Sequence, residues 1–572
     1  MPGFYITNTN ADIELNNYNE FLCRKDELST SDYLIKRNTL DKFFDDKLFY
    51  EDDDVIIITE GVILNKKHLI DLYNKSNFIE CIKHMISENP DTFYNKFRGS
   101  FSGAVYYKNE CKWIIYTNQN GDKAIFYYYD NAKLNFITGS QANYVIDAIN
   151  RLNIQKTINE KAIYYILFYG YMGDDSTYIN EIKRLSPGHY LEITKNNFSV
   201  HKYHEYKNTE NEYSDLSEKE LIDLFDKKFK EAVKLQYDKD LEYNYRHRAH
   251  LSAGLDSRMN VWVANKLGYK NVLNTTYCQS GYVDEKIAKE IAADLGNELL
   301  FKPLDDASYL FDIDKIVSMN YGTGFYSGIA GGQRLLECLN TEVFGLEHSG
   351  QMGEVIKGDY QSNSDDNDSI KIAGYYSSKL LDKVPKDHLK NYKNQEIYGI
   401  YVRGFNGTLH TNLIRQNYTE QVSHLIETDF LEFYLSLPYT YRKNMKLYKK
   451  WIITKYPKAA TYIWDITRCK VTASKAQILF KRIIYRGSLR LFKFFGVSIK
   501  NRSMAPIDYW LQNNVKLADY FDNYYKEHIN KFDLSNELKN DIKKLYENGN
   551  GIQKAMVLTV LSALKLYTKS QA

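Results

Sequence analysis

Between Gly3 and Glu205 the apolar residues come in short runs broken by turn residues, a pattern that predicts strands more often than helices. Val55–Thr59, Gly103–Tyr107, Trp113–Thr117, Ala124–Tyr129 and Leu134–Ile137 are such runs, and Asn120-Gly121-Asp122 is a turn between two of them. Helical spacing appears over Lys67–Tyr73, Phe78–Ser87 and Glu160–Phe168. The combination predicts a layered α+β domain. A polar stretch, Asn208–Ser217, then reads as a linker, which sets the expected division at residues 1–210 and 215–572.

Beyond the linker the period changes. Leu221, Ile222, Phe225, Phe229, Ala232 and Val233 recur at helical spacing within Leu221–Leu235. Tyr243–Leu251 then reads as a strand, Met259–Leu267 as a helix, Asn271–Tyr277 as a strand, Asp284–Leu295 as a helix and Glu298–Phe301 as a strand. Such βαβ alternation predicts a mainly parallel sheet covered by helices, with ligands at the carboxyl ends of its strands. From Pro506 to Tyr567 the pattern is helical again, with Val557, Val560, Leu561, Ala563 and Leu564 spaced for burial.

Composition narrows the classes. At 572 residues the chain is long enough for two or more domains. With 75 basic and 73 acidic residues, its net charge of +2 gives no sign of a nucleic-acid partner. Six cysteines without a C-x-x-C pair suggest neither a zinc ribbon nor a disulfide framework, which fits a reducing compartment. No apolar run reaches about 18 residues, so no membrane span is expected. The N-terminus has no basic, then apolar, leader, and a cytoplasmic protein is expected. Codon bias accounts for the 51 tyrosines more simply than an aromatic binding surface does.

The candidate chemistry starts at His250-Leu251-Ser252-Ala253-Gly254-Leu255-Asp256-Ser257-Arg258, a small-residue turn between a strand and a helix. Such a turn aims backbone N–H groups and the positive end of a helix at one point, which suits a phosphate or pyrophosphate. Asp256 could hold the Mg²⁺ that neutralises it. The stretch resembles the Ser-Gly-Gly-x-Asp-Ser pyrophosphate loop of the asparagine synthetase family, with Ala253 in place of the second glycine.

Further segments carry the same resemblance. Gly3-Phe4-Tyr5, Glu60–Asn65, Phe97–Ala104 and Ile182–His189 match that family's glutamine amidotransferase domain, but its chemistry does not carry over. Pro2 stands where the family has its nucleophilic cysteine, Glu60-Gly61 replaces the Asn-Gly of the glutamine pocket, and Lys75-Ser76-Asn77 replaces the Gly-Ser-Asp that grips the α-amino group. This domain is therefore expected to be a scaffold. Ser349-Gly350-Gln351-Met352-Gly353-Glu354 resembles the family's Ser-Gly-Glu-Gly-Ser-Asp segment. Gln351 there replaces a glutamate that assists proton removal from the amine, and an amide is no general base near neutral pH. Lys446–Ile453, with Arg468-Cys469-Lys470 after it, resembles the lysine-bearing helix; Lys450 is the best match for the charge that stabilises the adenylate, with Lys449 as the fallback.

The resemblance implies an N-terminal nucleophile-like (glutaminase-like) α+β domain, followed by an α/β domain of the adenine nucleotide α-hydrolase (PP-loop) kind. It implies ATP and pyrophosphate contacts at Leu251, Ser252, Gly254, Asp256, Ser257, Tyr277, Ser349 and Gly350, Mg²⁺ on Asp256 and Glu354, and catalytic positions at Lys450, Glu354 and Gln351. The implied activity is an AMP-forming ligase that joins a small-molecule, sugar or peptide carboxylate to an amine. Asparagine, a uronamide of a surface polysaccharide and a lasso-type peptide macrolactam are candidate products; a nucleotide-binding pseudoenzyme is the alternative. The tail after Pro506 resembles those of relatives associated with surface glycans.

One stretch has no counterpart in that scheme. Ser474–Met504 interleaves basic and apolar residues, as in Ile478–Arg486 and Leu489–Phe495. Its apolar side is expected to pack on the body with the basic side in water, and the alternative is contact with an anionic membrane surface.

Overall fold

In the computed structural model the described residues are 2–16, 23–209, 212–328, 330–358, 370–494, 500 and 503–569. The N-terminal part holds two six-stranded sheets whose pairs are all antiparallel. In spatial order the first is Lys183–Arg184, Phe126–Asp130, Asn135–Gly139, Gly3–Thr7, Leu34–Leu40 and Cys23–Ser29. The second is Phe198–Lys202, His189–Ile193, Lys112–Thr117, Gly99–Tyr107, Val55–Ile63 and Phe49–Glu51.

Period-two alternation makes these sheets two-faced. Phe4, Ile6 and Ile35 of one meet Ile56, Ile58, Ala104 and Ile115 of the other in a common core. The opposite set from the second sheet, Ile57, Val105 and Ile114, is covered by the helix Phe78–Glu88 through Phe78, Cys81, Ile82 and Met85. The expected layered α+β domain is thus present. Leu34–Leu40 was not legible as a strand because Lys36, Arg37 and Asn38 interrupt its apolar pattern. Two of these are nonetheless buried: Arg37 donates to Asp26 at 2.8 Å and to the Lys47 carbonyl at 2.6 Å, and Asn38 to the Leu15 carbonyl at 2.7 Å.

The helix Glu218–Glu242 begins at a capping box of Ser217 and Glu220, just where the polar stretch ends. Behind it stands a five-stranded sheet, all parallel, in the order Glu298–Pro303, Leu273–Cys278, Arg246–His250, Phe344–Ser349, Gln421–Ser423. The chain enters at Arg246–His250, winds outward to one edge, then returns to that strand's other side. The order therefore reverses there, and a crevice opens between the loops that leave Arg246–His250 and Phe344–Ser349. Helices Leu255–Lys266 and Val283–Leu295 cover the sheet through Met259, Val263, Ile287 and Ile291.

The two halves are not separately walled. The C-terminal helix Gly551–Thr568 packs on Glu160–Tyr169, and Leu558, Leu561 and Leu564 lie in one core with Ile163, Ile166 and Phe168. A buried charge seam also joins them. Glu420 takes Lys47 at 2.9 Å and Lys123 at 2.7 Å, and Asp46 takes Lys66 at 2.9 Å and Lys239 at 2.8 Å. Burial works to raise the Glu420 carboxyl, but the two ammonium groups outweigh it and push it down to about 2.

The basic stretch departs from expectation. Lys475–Phe494 is one helix, but four of its apolar side chains do not pack on the body: Leu479, Phe480, Ile483 and Ile484 are 57, 64, 60 and 54% exposed. The part of that stretch at 495–499 and 501–502 lies outside the described residues. No described helix is long and apolar enough to cross a membrane.

Candidate active site

The loop after Arg246–His250 keeps the ladder for one more residue, with Leu251 N–H donating to the Thr275 carbonyl at 3.0 Å. It then folds on itself. Ser257 Oγ accepts from Ser252 N–H at 3.1 Å, Ser252 Oγ accepts from Gly254 N–H at 3.1 Å, and the two hydroxyls are 2.9 Å apart. Ala253 N–H donates to Asp284 at 2.9 Å. Ala253 is not among the residues with positive φ, so its methyl group costs the turn nothing. The helix Leu255–Lys266 starts at Gly254, and the N–H groups of its first turn point to the crevice without an intrahelical partner.

The second loop closes on the first. A Cβ on Gly350 would overlap the Ser257 backbone, and one on Gly353 would overlap the Asp256 carboxylate. Both glycines are therefore set by close approach rather than by conformation. Met352 takes φ +67° to turn the strand Phe344–Ser349 into the short helix Gly353–Lys357. That helix delivers Lys357, whose Nζ is 2.9 Å from Asp256 Oδ2. Burial works to lower the Lys357 pKa, but Asp256 and Glu354 outweigh it and hold it above the usual value. Asp256 is raised, first by burial and further by Glu354 and Asp465, against the pull of Lys357.

These loops line a cavity of about 340 Å³ together with His250, Tyr277, Asp284, Arg415 and Asp465. Burial pushes the Asp284 carboxyl up to about 6, although Ala253 N–H works against it. Behind the cavity Glu347 is buried among three cationic or donor groups. Arg248 lies at 2.8 Å, His250 at 2.6 Å, and Arg415 pairs with it directly; Arg415 also donates to the Tyr277 hydroxyl at 2.6 Å.

Of the positions expected from sequence, Leu251, Ser252, Gly254, Asp256, Ser257, Tyr277, Ser349, Gly350 and Gln351 line this one cavity. Glu354 stands beside it, close enough to act on both Asp256 and Lys357. Gln351 is tied up: its amide and that of Asn412 each donate to the other, Gln351 Nε2 to Asn412 Oδ1 at 2.8 Å.

Lys450 is not brought in. Its helix, Lys446–Lys455, buries Leu447, Tyr448, Trp451 and Ile452, so position 450 falls on a flank where the ammonium pairs with Glu218. The fallback, Lys449, lies 5.4 Å over the Trp464 ring and is likewise absent from the cavity lining. The cations in the cavity wall are Lys357 and Arg415, neither of which sequence reasoning found. Asp284 could have been found, since it opens the helix after a parallel strand; Arg415 and Asn412 carry no local signal.

For a metal, the buried Oδ1 of Asp256 has no hydrogen-bond partner among the described residues, so this carboxylate can accept a hard cation on that side. A second cluster of ligating atoms, Asp240, His247 and His348, is already spent on itself. Both imidazoles bond to one oxygen of Asp240, at 2.8 and 2.7 Å, which is hydrogen-bond spacing.

The N-terminal half shows how the replaced positions are used. Pro2 is buried and its carbonyl accepts from Gln141, whose own oxygen accepts from Tyr321. Glu60 is buried 3.9 Å from Lys47, in the charge seam. Asn77 caps the helix Phe78–Glu88.

Residues 44–204 match the family model of the glutamine amidotransferase domain. The chain is also 23% identical over 283 residues to an asparagine synthetase [glutamine-hydrolyzing] 1 of Bacillus subtilis (strain 168), a match covering 47% of this chain and 42% of that protein. The chain thus spans less than half the length of the relative it matches. Residues 44–204 are thus of the glutamine amidotransferase type, and about half of the chain is similar to part of an asparagine synthetase.

Proposed function

We propose that the chain is an AMP-forming amide ligase of the PP-loop kind, and that ATP lies between the loops Leu251–Ser257 and Ser349–Glu354. The observation that supports this most directly is the meeting of those two loops at the reversal of a parallel sheet, with Lys357 and first-turn N–H groups aimed into one cavity. In this reading a carboxylate attacks the α-phosphorus and pyrophosphate leaves toward Ser252, Ser257 and Lys357. An amine then attacks the acyl carbon and AMP departs. The donors are fixed before reaction, which is where electrostatic stabilisation gains most.

Asp256 Oδ1 and Glu354 would hold the Mg²⁺, which when bound supplies charge neutralisation at the phosphates. Arg415, buried against Tyr277 and Glu347, forms the opposite wall and suits the acid substrate. Gln351 and Asn412 form a neutral pair that neither takes nor gives a proton at neutral pH, so the amine enters as its free base or passes its proton elsewhere. Glutamine is not the nitrogen source in this reading: Pro2 offers no thiol, and Glu60 is engaged with Lys47.

The same amide pair favours a second reading, a protein that binds nucleotide without coupling. Exchange of labelled pyrophosphate into ATP separates the two, run with aspartate, with uronic acids and with host extracts as acid sources. Exchange with one acid, AMP as product and no glutamate released from glutamine are expected. ADP as product, or ATP binding without exchange under any acid, leaves only the nucleotide-binding reading.

A further inference from the structure

From Ile466 to Ile507 the sequence contains ten Lys and Arg and no Asp or Glu, in a chain whose overall charge is nearly balanced. The middle of this run is the helix Lys475–Phe494, and over its first turns the exposed apolar residues gather on one face. At about 100° per residue, Leu479, Phe480, Ile483 and Ile484 fall within one arc, and Lys475, Lys481 and Arg482 lie outside it. The four apolar side chains are more than half exposed, so the fold leaves a bulky apolar arc in water beside a concentrated positive charge.

We propose that this helix docks the protein on an anionic lipid bilayer, with the apolar arc in the acyl boundary and the lysines and arginines among the headgroup phosphates. Charge complementarity selects the occupant. A nucleic acid would satisfy the basic side chains but gives Leu479, Phe480, Ile483 and Ile484 nothing to enter. An apolar groove on another protein would bury the four but has no need of a run of ten basic residues without an acidic one, of which Lys500 alone is described in an ion pair, with Asp305. A membrane surface with acidic lipids meets both requirements at once.

The place of the helix in the fold adds a second observation. The chain leaves the cavity wall at Asp465 and returns to it at Met504, and both residues line the cavity. The return is fixed by the Met504 carbonyl, which accepts from Gln279 N–H at 2.7 Å, and the departure by the Arg468 guanidinium, 4.1 Å over the Tyr485 ring. Docking through the helix therefore brings the rim of the candidate active site to the lipid surface.

The test uses the full chain and sedimentation with vesicles of phosphatidylcholine alone, or of phosphatidylcholine and phosphatidylglycerol in equal parts. At least about tenfold tighter partition onto the anionic vesicles is expected, weakening as salt is raised. Phe480→Asp with Ile483→Asp, and separately Lys481→Glu with Arg482→Glu, should each lower that partition by about tenfold or more. Circular dichroism of the variants should match wild type, because these side chains are in water already. Wild type that stays in the supernatant with anionic vesicles overturns the proposal, as does unchanged binding by the Phe480/Ile483 variant. Lipid-free self-association that the same variant abolishes would assign the helix to a second copy of the chain and overturn it equally. None of these outcomes bears on pyrophosphate exchange, so docking and the ligase reading stand or fall separately.

Discussion

Lys357 joins the two loops of the cavity through a single atom, because its ammonium rests on Asp256 while its backbone belongs to the segment that carries Glu354. Replacing it by methionine keeps the length of the side chain and removes the charge. Lys357→Met is expected to raise the Kd for ATP by about tenfold or more, or ~1.4 kcal/mol, measured by calorimetry. Lys450→Ala is expected to leave that Kd within about twofold, since its partner is Glu218 on the outer flank. A second residue-scale prediction concerns Asp284. Its folded pKa of about 6 is above that of an ordinary carboxylate, so the folded state gains stability from the bound proton at low pH and loses it as pH rises through about 6. Asp284→Asn, which stays neutral, should therefore raise Tm at pH 7.5, raise it less at pH 5 and change it little only below the ordinary carboxylate value of about 4, as read by scanning calorimetry. The stabilisation at the higher pH is on the order of 1–3 kcal/mol.

At the scale of elements, the cavity depends on how closely two loops approach. Gly353 faces the Asp256 carboxylate and Gly350 the Ser257 backbone, with no room for a Cβ at either. Gly353→Ala should leave the far-ultraviolet spectrum intact and lower affinity for ATP by about tenfold or more, because Asp256 must leave Lys357 to make space. This also explains what sequence could show. The turn Ser252–Ser257 and the segment Ser349–Glu354 are each continuous, so their spacing and small residues announce them. Lys357 follows only three residues after Glu354, but nothing local says that its side chain turns toward Asp256. Arg415 and Asn412 come from a helical segment with no signature, and only tertiary packing brings Arg415 to the cavity and Asn412 to Gln351. Lys450 misled for the opposite reason: a lysine pair on an amphipathic helix is read by register, and the burial of Trp451 and Tyr448 fixes that register so that position 450 faces Glu218. The apolar residues of Lys475–Phe494 were legible as an amphipathic set, but which partner their face meets is not a local property.

On the scale of the whole molecule, the halves share a core. Leu558 is fully buried in the same cluster as Ile163 and Phe168, and the rings of Tyr178 and Tyr567 meet at a tilt with centres 5.4 Å apart. One calorimetric transition is therefore expected rather than two, and Leu558→Ala should shift all of it, at a cost of about 2–5 kcal/mol. Two resolved transitions, with only the later one moved by the variant, would show that the halves unfold independently. The shared core also has a consequence in time. The face of Glu160–Tyr169 is complete when residue 169 is made, but the helix that covers it is the last described element, Gly551–Thr568. At ribosomal rates of about 5–20 residues per second, that face waits some 20–80 s in the cell, finished but uncovered, for a helix not yet synthesised. Through that interval the first half cannot complete its own core, however early its strands are made.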